Sequence, residues 1–133
     1  MTCTNCPPII QKYGVDPANV QWVVVRGDTA VIRVDFLELD ETAYNTTGWT
    51  YASTAYDPVA DVTHTLNVEA TDNYVTITAP ANITELWGTG SNAVVAELGF
   101  DLEVTVPEVG DDTIWTPVIG TICVLGDITG GSL

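Results

Sequence analysis

Three cysteines, one histidine and eighteen carboxylates are the side chains of this 133-residue chain best suited by type to do chemistry. Cys3 and Cys6 have the Cys-x-x-Cys spacing of half a zinc site. A complete site takes four ligands, usually from two such pairs. Cys123 and His64 are the other candidates, and each stands alone in the sequence. The simpler reading is free thiols on an N-terminal arm and one cysteine packed in the last strand. An odd cysteine count does not point to a secreted disulfide framework. His64 is the one base available to a hydrolytic triad. It lies between Thr63 and Thr65 in an expected strand, and the chain has no Gly-x-Ser-x-Gly elbow. His64 is therefore expected on the strand surface, and the chain is not expected to be an enzyme.

Clustered carboxylates suit glycoside hydrolysis or calcium. The densest group is Asp35, Glu38, Asp40 and Glu41, and Asp111-Asp112 is a second. These six are candidate ligands for weakly held calcium. They lack the ligand spacing and glycine of an EF-hand loop. Solvated acidic turns are the favoured reading, so no cofactor is expected. Arg26-Gly27-Asp28 spells an adhesion tripeptide, but Gly-Asp between two strands is ordinary turn chemistry. Asn45-Thr46-Thr47 and Asn82-Ile83-Thr84 match glycosylation sequons, which matter only after secretion. Trp22, Trp49, Trp87 and Trp115 are expected mainly in the core. Trp115, close to Pro117, is the first candidate among them for an exposed interface anchor, because tryptophan is favoured at binding hot spots.

The elements that must hold these residues read as short strands. Expected strands are 20–25, 29–37, 49–56, 63–68, 74–78, 94–106 and 114–125. β-Branched and aromatic runs are broken throughout by Gly, Pro, Asn and Asp. In the second run Ala30, Ile32, Val34 and Phe36 share one face, opposite Thr29, Arg33 and Asp35. Such alternation marks a strand with one face in the core. Thr71-Asp72-Asn73 is expected to turn a hairpin. Residues 83–87 suit one helical turn that plugs an open end with Leu86 and Trp87. The run 94–106 alternates throughout, and its length predicts a bend or bulge, with Gly99 as the candidate position. Pro117 predicts an edge or a bulge in the last strand.

The expected fold is all-β: a single antiparallel β-sandwich, Ig-like in outline, with seven to eight strands and an extended N-terminal arm. The Cys-Trp-Cys signature of immunoglobulins is absent, and a closed barrel is the alternative. The arm covers 1–19, the sandwich 20–129 and a short tail 130–133. Pro7-Pro8 stiffens the arm into an extended segment. With Cys3 and Cys6 the pair makes the arm a candidate to reach over a neighbouring subunit, and Trp115 and Pro117 complete the interface candidates. The start has neither the basic nor the apolar region of a signal peptide. No apolar run reaches the ~20 residues of a membrane helix.

Composition excludes several partners. Three basic residues against eighteen acidic ones give a net charge of −15. Phosphate binding needs a basic footprint, so neither nucleic acid nor an anionic membrane is expected. An apolar fraction of 46% and a mean hydropathy of +0.22 set the chain apart from acidic disordered segments.

The stretch Val24-Val25-Arg26-Gly27-Asp28-Thr29-Ala30-Val31-Ile32-Arg33-Val34-Asp35-Phe36, continued by Leu39-Asp40-Glu41 and Asn45-Thr46-Thr47-Gly48-Trp49-Thr50, resembles the opening of small sandwich domains in tailed-phage virion proteins. Tyr74-Val75-Thr76-Ile77-Thr78-Ala79-Pro80 and the closing Pro117–Val124 with Gly126-Asp127-Ile128-Thr129 fit the same pattern. The resemblance is to the LtfC-like sandwich family, and more loosely to BppU-type baseplate N-terminal domains, over roughly 23–129. It implies a non-enzymatic structural part of a virion: a minor tail, collar, baseplate or fibre-adaptor module. Its partners would be other virion proteins and further copies of itself, assembled in the bacterial host cytoplasm. A BppU-type domain normally anchors a longer fibre region, and no such region is expected here. This leaves a free-standing adaptor, a minor tail protein or a capsid decoration protein as expectations. A carbohydrate-binding or adhesion module is the alternative from another class.

Overall fold

A computed structural model describes residues 17–36, 45–89 and 93–126. The strands are β1 (Ala18–Val25), β2 (Ala30–Asp35), β3 (Thr50–Asp57), β4 (Val62–Thr71), β5 (Tyr74–Ala79), β6 (Ala96–Val106) and β7 (Thr113–Leu125). One short helix, α1 (Ala81–Thr84), follows β5. The hairpin at 71–73 forms as expected, with Thr71 opposite Tyr74 and Asp72 at φ 47°. Asp is one of the few side chains that tolerates this left-handed conformation.

Alternation places the side chains. Along β6, residues Leu98, Phe100, Leu102, Val104 and Val106 are buried, while Glu97, Gly99 and Glu103 face water. Ala30, Ile32, Val34 and Phe36 turn inward from β2, and Val31, Arg33 and Asp35 turn outward. Val75 and Ile77 are buried on β5, and meet Val34 and Ile32 in register.

All seven strands form one sheet in the order β1-β7-β6-β3-β4-β5-β2, nearly closed like a barrel. β4 makes this continuity. Its first half, up to Leu66, pairs with β3, and its second half, from Asn67, pairs with β5. The ends of the order, β1 and β2, are joined by the turn at 26–29.

Five pairings are antiparallel, but β1 runs parallel to β7, with Ala18 opposite Val118 and Val25 opposite Leu125. The all-antiparallel expectation is corrected here. Alternation tells which face a side chain takes and carries no information on the direction of the partner. β1 also starts at Ala18, two residues before the expected domain boundary. The arm before it lies outside the described residues.

No register shift falls at Gly99, which is opposite Tyr56 on one side and Thr121 on the other. The irregularity lies further along. Leu102 is opposite Val118 but Val104 is opposite Trp115, so β7 holds one extra residue at Thr116-Pro117. Pro117 thus sits at a bulge, as its missing N–H requires. It is also at an edge: the described part of β1 begins opposite Val118.

Candidate functional site

The Arg26-Gly27-Asp28 turn is a clamp. Arg26 is only 4% exposed, and its Nη1 donates to the Gly88 carbonyl at 3.2 Å. Gly27, at φ 89°, donates its N–H to Thr84 Oγ1 at 3.0 Å. The fully buried Thr84 hydroxyl donates in turn to the Asp28 carbonyl at 2.8 Å. The turn is thereby locked onto α1. A cell-adhesion tripeptide must offer its arginine to a receptor, and this arginine is inside.

Next to the clamp, Trp87 plugs the core and is fully buried. Leu86 was expected beside it but is 59% exposed. Consecutive residues of a helical turn point about 100° apart, so one of the two had to face out. His64 is half-buried and inward, with its ring 6.1 Å from that of Trp87 in an edge-on arrangement. This corrects its expected surface position: its register partner Ala55 is fully buried, which fixes the inward face.

Phe36, Trp49, Tyr51 and Trp115 form an aromatic cluster. Phe36 lies 5.5 Å from Trp49, 5.9 Å from Tyr51 and 6.5 Å from Trp115. Trp115 stands edge-on to Trp49 at 6.3 Å, half-buried and opposite the buried Val104. It is a wall of the core more than a free anchor. Burial in this cluster raises the Tyr51 pKa above its usual 10.0, and a hydrogen bond with Thr46 offsets part of that.

Among the described residues the acidic candidates do not converge. Asp35 is exposed and occupied by Arg33, whose Nη2 and Nε donate to Oδ1 at 2.8 and 3.0 Å. The same guanidinium lies 3.6 Å over the Tyr74 ring. Asp111 and Asp112 are exposed in the β6–β7 turn. Glu38, Asp40 and Glu41 lie outside the described residues, as do Cys3, Cys6, Pro7 and Pro8. Among the described residues no three His, Cys, Asp or Glu side chains gather as a metal site. Cys123 and His64 cannot share an ion. Cys123 is in register with the outward Glu97, whereas His64 points inward three strands away.

One feature had no sequence signal beyond a lone glycine. On the outer face of β3, β6 and β7 lies an open hollow of about 310 Å³, lined by Thr54, Tyr56, Gly99, Phe100, Asp101 and Ile119. Register explains it. Tyr56, Gly99 and Thr121 form one row across the strands, and Thr54, Asp101 and Ile119 form the next. Gly99 contributes no side chain, and a Cβ built there meets nothing within 4 Å. Tyr56 and Ile119 rise at either side, 41% and 40% exposed. Tyr56 is fixed by its hydroxyl, which donates to Asp61 Oδ1 at 2.8 Å; that bond, and burial after it, raise its pKa. Asp101 is half-buried in the hollow. Its backbone carbonyl accepts from Ser53 Oγ at 2.6 Å, but no described residue pairs with its carboxylate. Val23, 56% exposed on β1, extends the apolar part of this face.

Compared with known proteins, the chain matches no family model and no curated sequence.

Proposed function

We propose that the chain is a non-enzymatic structural part of a phage virion, a tail, collar, baseplate or fibre-adaptor module that acts through protein–protein contacts. The observation that carries the contact role is the outer face of β1, β7, β6 and β3. There exposed Ile119 and Tyr56 flank a hollow on an otherwise acidic surface, with exposed Val23 further out on β1. Side chains of this kind are favoured in the centre of interfaces. The phage setting rests on the resemblance of 24–36 and its continuation to LtfC-like sandwich domains. In that reading the near-closed sheet is an Ig-like sandwich, with β4 crossing from one layer to the other. The parallel pairing of β1 with β7 suits that arrangement. Mass spectrometry of purified particles is the test. The chain is expected in virions at a fixed copy number, and its absence from them overturns the reading. Labelled electron microscopy of the same particles then distinguishes a tail site from head decoration.

A further inference from the structure

We infer that the hollow over Gly99 takes an arginine side chain from a different protein, its guanidinium lying on the Tyr56 ring and paired with the Asp101 carboxylate. This rests on the contact role proposed above and names the chemistry of the partner.

The molecule already contains one filled arrangement of this kind. On the outer face of β2 and β5, Asp35 is in register with Tyr74, and Arg33 lies over that ring at 3.6 Å while bonded to the carboxylate. The hollow presents the same two groups without the third. Tyr56 and Asp101 stand diagonally across β3 and β6, and Gly99, opposite Tyr56 and two residues before Asp101, puts no side chain beside them. A guanidinium is flat, weakly hydrated and able to stack on an aromatic face while it pairs with a carboxylate. A lysine ammonium satisfies one of these demands at a time. Asp101 is half-buried without a described partner, so an incoming cation faces a carboxylate whose desolvation is partly complete.

The chain itself is a poor source of that arginine. Its three cations are Lys12, outside the described residues, Arg26, buried in the clamp, and Arg33, already bonded to Asp35. A second copy laid face to face would bring the acidic face of Glu97, Asp101 and Glu103 against itself. Repulsion of that sort disfavours a self-complementary dimer here. A basic segment with apolar neighbours fits the charge, and Val23 and Ile119 receive those neighbours.

The test uses backbone amide NMR of the whole chain with a capped Ala-Leu-Arg-Leu-Ala peptide at about millimolar concentration, where a single such contact is measurable. The expected result is a saturating shift of the Thr54, Gly99, Asp101 and Ile119 amides. Replacing the arginine by citrulline, its neutral isostere, is expected to weaken binding about tenfold. Gly99→Trp is expected to abolish it by filling the hollow. Asp101→Asn is expected to weaken it as citrulline does, and it stands as the second variant where the tryptophan disturbs folding. Equal binding of both peptides, no saturable shift, or wild-type titration by Asp101→Asn overturns the inference. Shifts of the same amides with protein concentration alone also overturn it, and give the face to a second copy. The titration needs no particle, so its failure is distinct from absence of the chain from virions.

Discussion

Thr84 joins more of the fold than its size suggests. One hydroxyl, on a fully buried side chain, accepts from the Gly27 N–H and donates to the Asp28 carbonyl. Replacement by the isosteric valine keeps the volume and removes both of these hydrogen bonds from the turn. Thr84→Val is expected to cost about 1–3 kcal/mol, read from urea unfolding midpoints. Tyr51 sets a second expectation. Its folded pKa lies above the unfolded value of 10.0, so the folded state keeps its proton longer. The stability linked to Tyr51 is complete below that pH and is lost as pH rises through the folded pKa. The melting temperature should therefore fall above about pH 10, and less steeply in Tyr51→Phe. An unchanged slope in that variant would remove Tyr51 as the cause.

At the level of the strand, two neighbouring glycines do opposite things. Gly99 and Gly120 lie on β6 and β7, one register row apart. A Cβ on Gly120 would fall 2.0 Å from the Val20 carbonyl oxygen and 2.8 Å from the Phe100 ring. Gly120 is what allows β1 to approach β7. Gly120→Ala is expected to unseat β1 and to destabilise by several kcal/mol, about the cost of severe overpacking. Gly99→Ala meets nothing and should be neutral or stabilise by up to about 1 kcal/mol, since glycine weakens a strand interior. Paired thermal melts of the two variants check this. The sequence alone could not tell these glycines apart: both interrupt good strands, and one was read as a bend. What differs is the neighbouring strand, which alternation does not name. Faces were legible for the same reason that partners were not. The buried positions of β2, β5 and β6 follow directly from period two. The parallel β1–β7 pair, the inward His64 and the hollow all depend on which strands meet. The carboxylates of 38–41 and the cysteines of the arm belong to stretches outside the described residues.

Across the whole molecule the charge is one-sided. With a net charge of −15 and few cations to offset it, the folded surface repels itself. Raising salt from about 0.01 to about 0.15 M shortens the screening length from roughly 30 to 8 Å. Calorimetry is expected to show a higher melting temperature at the higher salt, and sedimentation a greater tendency to self-associate. A melting temperature insensitive to salt would mean that the carboxylates are too dispersed to interact. The arginine contact proposed at Asp101 should respond in the opposite sense and weaken, because screening reduces attraction as well as repulsion.

The parallel pairing of β1 with β7 also sets an order in time. Ala18 cannot find Val118 until strand seven has left the ribosome, and Gly120 must be in place before β1 can seat at all. During synthesis Trp22 and Val24 therefore wait without their core partners, on a strand with both edges open. Closing so long a loop early is slow, since its entropy is lost before the contacts that repay it form. Emerging chains should thus remain sensitive to protease until β7 is complete and become resistant in a single late step, so that the outer face of β1, β7, β6 and β3 is finished only at the end of synthesis.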